Sequence, residues 1–210
     1  MGLKPDAGPR FAGGVSAVLV AVWLVLLVPL AAPPAEEADD QVMHALPADP
    51  KALVIRWQSE GGQAEQAPDP DLVVRADGTV TVGSRLTGGR PVEGRIPAAR
   101  LQELLGFVID ENAFFGVASG QLERQIEESQ RARADAGTAG GAVAVPTGPP
   151  YLDAGTTVLM VAADGRRHEV RQQGLFAALR EHPEIGALAR LRAVELRLLE
   201  LAQEIAAAAR

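Results

Sequence analysis

Along residues 53–58 the order Leu53, Val54, Ile55, Arg56, Trp57, Gln58 sets Leu53, Ile55 and Trp57 on one side of an extended chain and a more polar set on the other. Side chains alternate across a strand, so this pattern predicts a β-strand with one apolar face. The next alternation brackets Asp77-Gly78, with Leu72 and Val74 before it and Val80 and Val82 after it. A two-residue loop Asp77-Gly78 would set Val74 opposite Thr81. A three-residue loop Ala76-Asp77-Gly78 sets Val74 opposite Val80 and Leu72 opposite Val82. Only the second register collects the four apolar residues on one face, which predicts a type I turn with Gly78 left-handed as a bulge.

A second copy, Ala163-Asp164-Gly165, lies between "TTVLMV" and "RRHEV". The same loop length would set Val158 opposite Val170 and Met160 opposite His168. "TTVLMV" is apolar on both sides, as a central strand is. Both Asp-Gly copies are read as hairpin turns, with carboxylate ligand or catalytic duty as the lesser alternative.

Helical spacing replaces alternation in "IPAARLQELLGFVIDENAFFGV", where Leu101, Leu104, Leu105 and Val108 fall at i, i+3, i+4 and i+7. Pro97 suits the first helical position, although Ile96 is a poor N-cap. Phe114 and Phe115 are expected to pack where this helix meets the sheet, ahead of an aromatic ligand pocket. Residues 119–150 form an insertion expected to be mobile. Its first half keeps only Leu122 and Ile126 at helical spacing, and "TAGGAVAVPTGPP" reads as loop. In the last helix Leu191, Val194, Leu198, Leu201 and Ile205 make a seam of about two heptads. Leu196 and Leu199 widen it, which favours packing across the sheet over the alternative, an oligomer formed through the C-terminal helix.

The order of elements predicts an α+β fold: an antiparallel sheet of about five strands, two hairpins plus one strand, with helices packed on one face. The domain proper is expected over 51–210. It is preceded by a tether, 36–50, whose acidic Pro/Ala composition reads as unpacked chain, and by an N-terminal segment, 1–35.

That N-terminal segment changes the picture most. Lys4 and Arg10 precede an uncharged run from Gly13 to Ala32, and Glu36, Glu37, Asp39 and Asp40 follow it. About 20 apolar residues at 1.5 Å each cross a hydrocarbon layer about 30 Å thick. The charge asymmetry predicts a cytoplasmic N-terminus and an exported remainder. Leu30 and Pro33 flank the candidate cleavage point at Ala32 poorly, so an uncleaved transmembrane anchor is favoured over a cleaved signal peptide. The expectation is a membrane-anchored domain outside the cytoplasm, or a secreted or periplasmic one after cleavage.

Composition narrows the chemistry. The net charge of −7 and the absence of a basic patch interleaved with aromatics argue against a nucleic-acid binder. With no cysteine there is no disulfide, thiolate metal site or thiol nucleophile. The three histidines, His44, His168 and His182, show no metal-ligand spacing, and neither a cofactor nor a metal is expected. His44 lies in the tether, and His182 is expected at a helix end, where its partial charge suits the dipole. No catalytic residue is assigned. The best constellation available is His168 with Asp153 and Thr157, joined by Thr156 and Glu169, in which the imidazole would take a proton from a hydroxyl or water. Structural duty is the stronger reading of His168. Glu169 would point away from it, because strand neighbours face opposite sides.

"DLVVRADGTVTV", "IPAARLQELL" with Phe114-Phe115, and "DAGTTVLMVAADGRRHEV" followed by a terminal helix together resemble a group of uncharacterised bacterial exported α+β domains of unknown function. The resemblance covers roughly residues 50–208 apart from the insertion. It implies a small domain outside the cytoplasm and supplies no catalytic residue. Relatives often carry a cysteine before the first hairpin, which this chain lacks, so no redox or metal role transfers. The expected function is a non-enzymatic domain that binds or scaffolds an envelope partner. Its contact surfaces would be the insertion and any exposed strip of the last helix. The alternative is a hydrolase-like enzyme using His168 with Asp153 or Thr157.

Overall fold

The apolar alternations meet as one antiparallel sheet, and the helical spacings cover it, giving an α+β architecture. The structure is a computed structural model that describes residues 43–61, 69–139 and 154–210, all within the unit Asp40–Arg210. Among the described residues the strands are β1 (Leu53–Glu60), β2 (Leu72–Arg75), β3 (Thr79–Val82), β4 (Val92–Arg95), β5 (Thr156–Ala163) and β6 (Arg166–Gln173). Their order in the sheet is β4-β3-β2-β1-β5-β6. The helices are α1 (Ser84–Thr87), α2 (Ala98–Gly106), α3 (Ser119–Ala139), α4 (Leu175–Glu181) and α5 (Gly186–Ala208). None of the described helices is long and apolar enough to cross a membrane. The predicted anchor, 1–35, lies outside the described residues.

The first hairpin has the register that burial requires. Leu72 pairs with Val82 and Val74 with Val80, and Gly78 sits at φ 82°. The second hairpin departs from expectation. Ala163 pairs with Arg166, so the loop is the two residues Asp164-Gly165, both at positive φ (54° and 68°). That is the conformation of a type I′ turn, whose twist matches the strands it joins. Leu159, not Val158, therefore faces Val170, and Val161, not Met160, faces His168. The physical reason lies in β5, which is buried on both sides: Val158 and Met160 are as inaccessible as Leu159 and Val161. Burial cannot choose between two registers of such a strand, and turn chemistry decides.

The sheet has a sixth strand, β4, beyond the five expected. It hides from pattern reading because Gly94 occupies its central inward position, opposite Val80. A Cβ at Gly94 would sit 2.8 Å from Ile205 Cγ2, so the glycine lets α5 lie close over the sheet edge. From there α5 reaches back to β5, where Glu195 meets Thr157. Leu191, Val194, Leu198, Leu201 and Ile205 are all buried against their own chain. Leu196 on the same helix is exposed.

β1 carries a bulge. Leu53 pairs with Arg75 but Ile55 with Val74, and the extra residue, Val54, turns into the core while Leu53 stays half-buried. Leu101, Leu104, Leu105 and Val108 are buried as expected, with Pro97 at the N-cap and Ala98 first in the helix. Beyond α2 the chain widens into a π-turn, Phe107–Glu111, closed by Asn112 N–H donating to the Phe107 carbonyl at 3.2 Å. Phe114 is fully buried in the 3₁₀ turn that follows.

Candidate functional site

Of the residues weighed for hydrolysis, His168 and Thr157 lie apart, each on its own partner. His168 Nε2 lies 2.5 Å from the Val117 carbonyl, and its ring stands edge-on to Phe114 and Phe115, with centroids at 5.5 and 6.2 Å. An imidazole that donates to a main-chain carbonyl is holding structure, with no lone pair on that nitrogen to take a proton. Thr157 is buried and donates to Glu195 Oε1 at 3.0 Å. It lies four residues along β5 from Val161, the partner of His168, which puts the two about 13 Å apart at 3.3 Å per residue. Thr156 lies one residue further away, opposite Gln173, and Glu169 ion-pairs with Arg171 instead of turning to His168. Asp153 lies outside the described residues.

His44 overturns its expected place. Composition assigns 36–50 to a tether, yet within its described part His44 is only 5% exposed, with Leu46 and Pro47 half-buried and the rest exposed. Its Nδ1 lies 2.9 Å from Asp164 Oδ2 and its Nε2 3.0 Å from Asp110 Oδ2. Gln102 holds the main chain of the same residue, accepting from His44 N–H at 2.8 Å and donating to His44 O at 3.1 Å. Ala45 N–H donates to Asp164 Oδ1 at 2.7 Å, and Asp164 N–H returns a bond to Ala45 O at 2.8 Å. Five residues on, Asp77 N–H donates to Pro50 O at 2.9 Å. Both Asp-Gly turns thus grip residues 45–50, which run from one hairpin tip to the other. The π-turn brings Asp110 to the ring, and the type I′ turn brings Asp164. Local pattern could not find this site, because His44 and its partners are 58, 66 and 120 residues apart.

The Asp164 carboxyl is held below the usual carboxylate range, first by its bond to His44, then by the Ala45 amide and the nearby charges of His44 and Arg166. Two carboxylate oxygens facing both ring nitrogens are each satisfied by an N–H only when the ring carries two protons. Among the described residues no group of three or more acidic or histidine side chains is arranged to hold a metal ion.

At the far side of α3 lies a cleft of about 540 Å³ between that helix and the start of α5. Val117, Leu122 and Ile185 supply its apolar wall, and Gln125, Glu128 and Arg190 its polar one. The volume falls within the usual range of ligand pockets, about 300–1,000 Å³. The Gln125 Oε1 in this wall is buried and has no hydrogen-bond partner among the described residues.

Ser129, His182 and Glu184 meet at the rim. Ser129 Oγ donates to Glu184 Oε1, and His182 Nδ1 lies 2.8 Å from the same Oγ. The Ser129 bond, with the Arg133 and His182 charges behind it, keeps the Glu184 carboxyl below its ordinary value. Ser129 therefore spends its one proton on an ionised, weakly basic carboxylate, and the imidazole is left to donate. Nucleophilic activation needs the opposite polarity, with a base accepting from the hydroxyl. The trio fastens α3 to the α4–α5 corner. His182 caps α4, as its position predicts, with its amide donating to the Ala178 carbonyl at 2.8 Å.

A buried ionic group closes the opposite end of the core. Asp71, 2% exposed, accepts from Ser59 N–H at 2.6 Å and from Arg85 Nε at 2.6 Å. Removing one partner of such a group leaves an uncompensated buried charge. No known protein family, curated protein or solved structure matches this chain.

Proposed function

We propose that the chain is a non-enzymatic recognition domain, held outside the cytoplasm by its apolar N-terminal segment, that takes an envelope protein partner in the cleft between α3 and α5. The cleft carries this reading: its volume is about 540 Å³, it joins apolar and polar walls, and the Gln125 Oε1 in its wall has no hydrogen-bond partner among the described residues. Peptide N–H groups supply such donors. The scattering of His168, Thr157 and Glu169 onto separate structural partners further favours binding over hydrolysis. The acidic balance of the chain disfavours nucleic acid as the partner.

Ala132 lines the cleft from an exposed face of α3, so Ala132→Trp fills the groove without touching the core. Affinity capture from solubilised envelope with the wild-type chain and with this variant is the test. The expected outcome is a protein retained by the wild type and lost, at least about tenfold, by the variant, the effect of blocking a central contact. Equal retention by both would refute the cleft as the binding site.

A further inference from the structure

We infer that residues 43–49 form a strap, latched over the ends of both hairpins by His44 held between Asp110 and Asp164, and able to open while the sheet stays folded. The geometry separates the strap from the body it crosses. Its long-range main-chain bonds go to one side chain of α2, Gln102, and to the β5–β6 turn, while Asp49 O accepts locally from Ala52 N–H, and its one apolar hold on the core is half-buried Leu46, with no strand pairing among the described residues. The next fastening, Pro50 O to the Asp77 amide, belongs to the β2–β3 turn and is independent of His44.

The groups that face the ring are few and come from each element around it. Asp110 arrives from the π-turn and Asp164 from the β5–β6 turn, with Arg166 at the start of β6 bearing on Asp164. α2 contributes only neutral Gln102. With both carboxylates ionised and both ring nitrogens protonated, every contact is a charge-assisted hydrogen bond. A neutral ring would set a lone pair against one of the carboxylate oxygens at about 3 Å, with no N–H between them. Asp164, held below the usual carboxylate range by the same contact, gives up its charge only in acid. The strap therefore loosens in acid as Asp164 protonates.

Opening has a mechanical consequence that rests on the anchored reading of the N-terminal segment, while the latch itself does not. Seven freed residues, 43–49, add up to about 23 Å to the reach of the chain at about 3.3 Å per residue. A domain held close to a surface would gain that distance.

Hydrogen–deuterium exchange of the full chain in detergent tests the latch, read at the amides of His44 and Ala45 and, as internal reference, at those of β1 and β5. In the wild type near about pH 6 the two strap amides should be protected. Asp110→Asn and Asp164→Asn, each of which keeps the side-chain shape and the turn, should speed their exchange at least about tenfold, the loss of one charge-assisted bond, without changing β1 or β5. Unchanged strap protection in either variant overturns the proposal. So does loss of strap and sheet protection together, because the strap would then be an inseparable part of the fold. Failure of cleft binding in the Ala132→Trp experiment leaves this result untouched.

Discussion

Gly78 and Gly165 follow the two aspartates and share a left-handed backbone, yet their surroundings differ. A Cβ at Gly78 would sit 2.4 Å from the Ile96 carbonyl oxygen, a main-chain atom that also lies beside the bond from Ile96 N–H to Gly78 O. A Cβ at Gly165 would meet nothing within 4 Å. Gly165→Ala should cost only the left-handed penalty, about 1–2 kcal/mol. Gly78→Ala should add a steric term of about 1–3 kcal/mol, for a total of about 2–5 kcal/mol. Urea unfolding of the two variants should show Gly78→Ala clearly the weaker, and equal losses would contradict the close approach to Ile96. The aspartates divide in the same way. Asp77 turns its carboxylate to Thr79 N–H within its own hairpin, at 2.9 Å, whereas Asp164 turns outward to His44 and Ala45. The repeated tripeptide is one local solution to chain reversal carrying two different long-range contacts.

At the scale of elements, the strap over the hairpin tips should make stability depend on acid in a definite direction. The Asp164 carboxyl is depressed in the folded chain, chiefly by the His44 bond. A group with a depressed folded value contributes stability that is full above the unfolded carboxylate range and is lost as pH falls through the folded value. The difference in unfolding midpoint between wild type and Asp164→Asn should therefore be largest near neutrality and shrink toward acid. A difference that grows in acid would contradict the contact.

The elements also show what patterning can and cannot reveal. The first hairpin was legible because its strands are apolar on one side only, so register and burial are the same question. α2 and α5 were legible because their leucines fall at helical spacing and are buried where that spacing points. The second hairpin was not, since β5 is buried on both faces. β4 was hidden by Gly94, whose role is to admit Ile205. The bulge at Val54 reversed the two leading residues of β1, a change that no alternation announces. The strap was the largest omission. Its composition is that of an unpacked chain, and the partners of His44, Ala45 and Pro50 are distant in sequence. The cleft was legible only as an expectation that the insertion starting at Ser119 would offer a surface. The Ser129–His182–Glu184 rim arises from a helix–helix meeting that spacing does not encode.

For the whole molecule, the fold supplies a sheet with two long helices, of which α3 has later turns that stand away from it. Arg131 through Ala136 are all exposed, while Leu122 and Ile126 anchor the first turns. Ser119 ties that start to the sheet edge, its Oγ accepting from Arg171 N–H at 2.9 Å. A helix held at its start and at the Ser129 rim leaves the groove beside it open to a partner, and His168, Thr157 and Glu169 are engaged elsewhere. The account therefore turns on whether a protein occupies that groove in the cell. Site-specific photo-cross-linking in living cells tests this most directly, with the probe replacing Gln121 or Arg190 in the cleft and, as control, Glu93 on the exposed side of β4. The account predicts one discrete adduct of the same partner from both cleft positions and none from Glu93. No adduct from the cleft, or the same adduct from Glu93, would contradict it.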